Sequence, residues 1–258
     1  MSISLEQQEM IKNYLTEKIR NKLNNYNPET HSMPFHYRLL GKNRMALFSF
    51  IHSVNTILGT SIFEKVGELI LSNRTQEVQS QYKGLVGYIS ERAVICIDNI
   101  MRDLKSTRRI PCKDTETREV LAVARSGDLG RRIKKRVDIY AKMEDDTEYY
   151  FELKSAKPNI NEFTGIKKQL LDWIAIRGSE LSSVKIKTIL AIPYNPYEPE
   201  PYQRWTLQGL FDLDNEVLVG QVFWDFLGGS NTYEDLLNVF EEAGLELYDE
   251  IDEKMRNL

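Results

Sequence analysis

Arg136-Val-Asp-Ile-Tyr-Ala-Lys142 and Tyr149-Tyr-Phe-Glu-Leu-Lys-Ser155 are two short, apolar-rich runs separated by Met143-Glu-Asp-Asp-Thr-Glu148. The linker is short and polar enough to turn a chain, so the spacing predicts an antiparallel hairpin. Opposed residues of such a pair lie side by side, which lets Asp138 and Glu152 converge. Two carboxylates about 4 Å apart repel by roughly 4 kcal/mol at an effective dielectric near 20. A cation is therefore expected there, and a hard divalent ion with oxygen ligands is the natural candidate. Side chains alternate along a strand, so Lys154 leaves on the same face as Glu152. Metal-assisted phosphodiester hydrolysis uses this set: a metal neutralises phosphate and acidifies a water, while an ammonium holds or activates the water and screens developing charge.

The bare pattern is weak, and context gives it weight. An acid two residues before a lysine also occurs at Asp252-Glu-Lys254, in a polar tail with no apolar strand around it. Only Glu152-Leu-Lys154 follows an aromatic run and an upstream strand carrying an aspartate. The plain alternative is an edge hairpin with its charges in solvent. Arg131-Arg-Ile-Lys-Lys-Arg136 runs directly into the Asp138 strand. Arg131, Arg132, Lys134 and Lys135 thus form either a phosphate-contacting surface or a solvated basic loop.

Outward from the hairpin, residues 4–24 have the period of an amphipathic helix, broken by turn formers from Asn24 to Pro34. Helical character returns over 39–58. Ile62, Val66, Leu69 and Ile70 then stripe a helix over 62–71, with Thr60 or Ser61 as its N-cap. Glu64 falls opposite that stripe, with Glu68 one turn on; the pair either marks a nearby cation or is a solvated face. A further helix is expected over 90–105 and an irregular, charge-rich connection over 106–130. After the hairpin come a helix over 161–177 and a central strand, Val184–Ile192, ended by the proline-rich 193–201. Arg204–Leu213 and Gln221–Leu227 read as short helices, and Asn231–Leu247 as an acidic one. The order predicts an α/β core with a mixed central sheet flanked by helices, behind an N-terminal helical region.

The chain has 258 residues, 41% apolar and 28% charged, ordinary for a globular protein with a sizeable core. It reads as one domain: a helical region to residue 58, a catalytic core over 59–195, and a helical region over 196–258. A net charge of −4 argues against a passive DNA-coating protein. Basic residues instead cluster between Lys83 and Lys142, and acidic ones from Asp212 onward. Cys96 and Cys112 make no disulfide framework and no zinc spacing. His31, His36 and His52 are unassigned as ligands. With no basic-start leader and no run of 18 apolar residues, the chain reads as cytoplasmic, with no membrane contact.

Asp138 with Glu152-x-Lys154, preceded by Gly59-x-x-x-x-Glu64, resembles the PD-(D/E)xK nuclease superfamily, with Val137 where the nominal motif has proline. Longer blocks narrow the resemblance. Met33-Pro-Phe-His-Tyr-Arg-Leu-Leu40, Gly59-Thr-Ser-Ile-Phe-Glu64, Glu152-Leu-Lys-Ser-Ala-Lys-Pro-Asn159, Ala191-Ile-Pro-Tyr-Asn-Pro196 and Phe223-Trp-x-x-x-Gly-Gly229 followed by Thr232-Tyr-Glu are similar to the TdeIII family of type II restriction endonucleases. Together they span about residues 33–240.

The resemblance implies a restriction-endonuclease-like core and Mg²⁺-dependent cleavage of double-stranded DNA, with Mn²⁺ able to substitute. The site would be a short palindrome, GGNCC or a close relative, and the ends 5′-phosphates. Asp138 and Glu152, helped by the Leu153 carbonyl, would bind the metal; Lys154 would position the attacking water, and Glu64 would be a third acid. Lys157 would reach a phosphate. The helix bearing Lys167, Lys168 and Gln169 would lie along the DNA backbone, or else present a solvated face. Asn195 and Arg204 are candidates for base readout. A palindrome is matched most simply by a homodimer, and a restriction system implies a protective methyltransferase that is not a stable partner. Two other readings remain: another nuclease of the superfamily, such as a resolvase or repair exonuclease, and a DNA-binding protein with a vestigial site.

Overall fold

A computed structural model describes residues 2–27, 33–155, 157–203 and 207–256. Its chain contacts divide into two compact units, Met1–Ile70 with Gly228–Leu258, and Leu71–Leu227. The second unit holds the whole sheet, five strands in the order β1 (Glu77–Gly87), β2 (Ile133–Lys142), β3 (Glu148–Leu153), β4 (Ile186–Ile192) and β5 (Val217–Val219). β1 to β3 run antiparallel, and β3, β4 and β5 are parallel. The sheet is therefore mixed, as the sequence predicts.

The hairpin forms where expected. Asp145 caps its turn, accepting from the Thr147 backbone N–H and hydroxyl, while Asp146 takes the left-handed conformation that aspartate tolerates. After β3, α7 (Ile160–Glu180) returns the chain to parallel β4. Asn159 and Glu162 start α7 with a reciprocal capping box. Phe163, Ile166, Leu170, Trp173 and Ile174 then bury its inner face against the sheet and the helices α5 (Glu91–Lys105) and α6 (Lys113–Val123). On the other face of the sheet, Phe151 packs against Phe223 and Phe226 of α8 (Gln221–Gly228).

Besides β5 and a C-terminal helix over 248–256, which the sequence reading did not assign, four elements depart from it. β1 joins the sheet edge although its sequence, Glu-Val-Gln-Ser-Gln-Tyr-Lys, has little apolar content. α6 occupies the middle of the connection expected to be irregular; its inward residues include Lys113 and Glu116, so its sequence lacks an apolar stripe. Among the described residues of 204–213 there is a turn rather than a helix, and Gly209 at φ +80° breaks any helical run. Neither Thr60 nor Ser61 caps a helix. A π-helical stretch, Leu58–Ile62, carries the chain past Gly59, and these hydroxyls donate back to the Thr56 and Ile57 carbonyls.

The first unit is helical: α1 (Leu5–Asn25), α2 (Pro34–Leu40), α3 (Lys42–Ile57), α4 (Phe63–Leu71), α9 (Thr232–Glu246) and α10 (Tyr248–Arg256). α1 packs along α9, and Arg20 chelates Glu250 of α10. Continuous helix from Lys42 to Leu71 is long and apolar enough to cross a membrane by length and composition alone. Its apolar residues divide between buried Met45, Ala46 and Phe50 and exposed Leu47, Phe48 and Ile51.

Candidate active site

The β2–β3 ladder ends with Ile139 paired to Phe151, and Asp138 and Glu152 are the residues just beyond that pair on each strand. The Asp138 Oδ2 accepts a 2.8 Å hydrogen bond from the Leu153 backbone N–H, which ties the aspartate to the end of β3. Lys154, the residue after the strand, donates Nζ to Glu152 Oε1 at 2.6 Å. Its backbone N–H donates to the Ala191 carbonyl, so β4 holds the start of the loop in line with the sheet. The hairpin thus brings Asp138, Glu152 and Lys154 together.

Burial pushes both carboxyls above their ordinary range. For Asp138 the rise persists although the Leu153 N–H, Lys154 and Arg136 all favour its charged form. For Glu152 the negative charge of Asp138 adds to burial, and Lys154 and Gln169 oppose it. Burial pulls the Lys154 ammonium down, but the Glu152 carboxylate beside it, aided by Asp138, raises it overall. Lys154 is therefore a cation that donates and does not accept a proton. Two acids share this poorly solvated place with one lysine, and the half-exposed Arg136 approaches Asp138 at 4.0 Å.

Such a cluster fits a hard divalent ion. Two carboxylates and the Leu153 carbonyl offer oxygen alone, the chemistry that Mg²⁺ prefers. Among the described residues, no group of three or more His, Cys, Asp and Glu side chains is ready to hold a metal. Mg²⁺ typically keeps several waters and takes only one or two carboxylates, so this sparse set is in keeping with it.

One member was missed as a site residue: Gln169. It comes from α7, and its Nε2 donates to Glu152 Oε2 at 2.6 Å. The sequence places Gln169 on the right helix, but only the packing of α7 over β3 turns it toward Glu152.

The remaining predicted residues divide. Arg131, Arg132 and Lys134 are exposed on or before β2, and Arg132 lies 3.8 Å from Glu180. Lys135 is half-buried, and its charge is felt by Asp172 of α7. Lys168 is exposed between Asp98 and Asp172. Lys157 is exposed with its ammonium 5.0 Å from the Tyr197 ring centre.

Lys167 requires correction: it is 0% exposed and ion-paired to Glu116 and Glu216, so it faces neither DNA nor solvent. The Asn195 amide is engaged in its own loop, accepting from Tyr197 N–H and donating to the Glu200 carbonyl. Arg204 lies outside the described residues. Glu64 sits on α4 of the helical unit and is 2% exposed, which removes the solvated-face alternative.

A model of the HinfI family, described as type II restriction endonucleases, matches residues 3–244. The type II restriction enzyme HgiEI of Herpetosiphon aurantiacus is 30% identical over 230 residues, covering 86% of this chain and 81% of the relative. HgiCII, from the same organism, is 28% identical over 226 residues with the same coverage. The type II restriction enzyme MjaII of Methanocaldococcus jannaschii is 26% identical over 234 residues, 81% of this chain and 61% of the relative.

Proposed function

The chain belongs to the HinfI family of type II restriction endonucleases, site-specific deoxyribonucleases, and from that premise we propose a Mg²⁺-dependent cut at a short palindrome, GGNCC-like. The observation that carries the metal centre is the half-buried Asp138 beside the buried Glu152, with the Lys154 ammonium 2.6 Å from Glu152. The sequence blocks similar to the TdeIII family support the narrower choice of site.

Asp138, Glu152 and the Leu153 carbonyl would hold the ion. When bound, a divalent ion neutralises the scissile phosphate and lowers the pKa of a water. Lys154 orients the attacking water and offsets charge on the phosphate as it becomes five-coordinate. The water oxygen bonds to phosphorus and the bond to the 3′ oxygen breaks. The products are a 3′-hydroxyl and a 5′-phosphate. Arg131, Arg132, Lys134, Lys135, Lys157 and Lys168 meet backbone phosphates, which positions DNA without reading its sequence. Glu64 is carried as a further acid by the resemblance alone. A homodimer in the prokaryotic cytoplasm, paired in function with a methyltransferase, suits a palindromic site.

Digestion of a plasmid of known sequence tests the reading. Discrete fragments with 5′-phosphates are expected in Mg²⁺, and none in chelator. Undiminished cutting in chelator would reject the metal centre; degradation from ends would reject site-specific cutting.

A further inference from the structure

Glu152 has two side-chain donors, one on each oxygen. Lys154 on Oε1 belongs to the nuclease triplet; Gln169 on Oε2 has no part in the mechanism above. A carboxylate can only accept, so it is the amide nitrogen of Gln169 that faces it. Being neutral, the amide fixes the carboxylate without adding a further positive charge beside it. A second lysine in its place would repel a dication.

The helix carrying Gln169 is firmly seated. Two residues earlier, Lys167 is fully buried and ion-paired to Glu116 of α6 and Glu216 before β5. On either side, Ile166, Leu170 and Trp173 are packed into the core. The capping box at Asn159 and Glu162 fixes where α7 begins. The amide is thus presented to Glu152 from a rigid element, as a side chain that orients a metal ligand should be.

We propose that Gln169 is a positioning residue, holding the Glu152 carboxylate in the one orientation in which it and Asp138 share a divalent ion. This rests on the reading of Glu152 as a metal ligand. Residues that orient metal ligands typically change metal affinity or activity about 10–100-fold when replaced.

The full-length variants Gln169→Leu and Gln169→Met, both close in size and good helix formers, test it beside Glu152→Ala. Mn²⁺ binding to the DNA-free protein is followed by electron paramagnetic resonance. DNA binding is measured in chelator, and single-turnover cleavage across a Mg²⁺ series. Both Gln169 variants are expected to bind Mn²⁺ about 10-fold or more weakly. Their DNA affinity stays within about 2-fold of the parent, and the cleavage defect shrinks as Mg²⁺ rises; a merely loosened fold would give no such metal-dependent recovery. Parental Mn²⁺ affinity and Mg²⁺ dependence in whichever Gln169 variant folds, with both lost in Glu152→Ala, would overturn the inference and leave the metal centre standing. Parental Mn²⁺ binding and cleavage in Glu152→Ala would overturn both.

Discussion

Two polar clusters sit against the sheet under α7, and they are built on opposite principles. In one, Lys113, Glu116, Lys167 and Glu216 are each at most 1% exposed and alternate in sign. Every ammonium finds a carboxylate, and Lys113 also donates to Thr188 of β4 at 2.7 Å. Two lysines and two glutamates sum to zero. In the other, Asp138 and Glu152 meet cations that reach solvent: Arg136 is 48% exposed and Lys154 37% exposed. α7 supplies both, Lys167 to the closed cluster and Gln169 to the open one. A closed, neutral network can only hold elements together. An open, partly solvated one leaves room for an ion and a substrate. Under the proposed mechanism the contrast separates structural charge from chemical charge without any appeal to which residues are polar.

The sharpest way to break the comparison is to remove one lysine from each cluster. Lys154→Ala is expected to lower the cleavage rate by about 10⁴-fold, the order seen when one member of a concerted catalytic set is removed. Its urea midpoint should barely move, since the side chain is partly in solvent. A variant that still cuts at the parental rate would take Lys154 out of the reaction.

Lys167→Met should do the reverse. Leaving Glu116 without its ammonium in the interior, and Glu216 with Lys113 alone, is expected to cost about 3–5 kcal/mol, read as a lower urea midpoint. A stability equal to that of the parent would mean the network is not the anchor described here.

The smallest effect sharpens the contrast through pH. Because burial raises the Asp138 and Glu152 carboxyls, the fold binds these protons more tightly than the unfolded chain does. The metal-free protein then carries a penalty at neutral pH that is relieved as pH falls through the raised values. Asp145, Asp146, Asp212 and Glu250 are shifted down and act oppositely, losing stability at lower pH. The difference between the parent and Asp138→Asn, measured in chelator, isolates the site: the variant should be the more stable at neutral pH, with the gap closing on acidification. A gap of the opposite sign would mean Asp138 is not strained by burial.

Much of the sheet was readable because its strands are apolar on both sides of a polar turn. The hairpin, α7 and β4 follow from that pattern alone. β1 escaped because an edge strand needs little apolar surface, and its backbone pairing to β2 carries no sequence signature. α6 and Lys167 escaped for a shared reason. A lysine or glutamate reads as a surface residue, and only neighbours distant in sequence make its burial tolerable. Glu216 is 49 residues from Lys167 and 103 from Lys113. Gln169 lay on a helix expected to track DNA, and nothing local distinguished it from Lys168.

By itself the amino-acid sequence determined the hairpin, the alternation that aligns Glu152 with Lys154, and the family blocks, since each is written in neighbouring residues. Tertiary structure alone decided which charges are chemical and which structural. Net charge, solvation and partner count belong to a place in space, and α7 assembles that place from segments that are far apart along the chain.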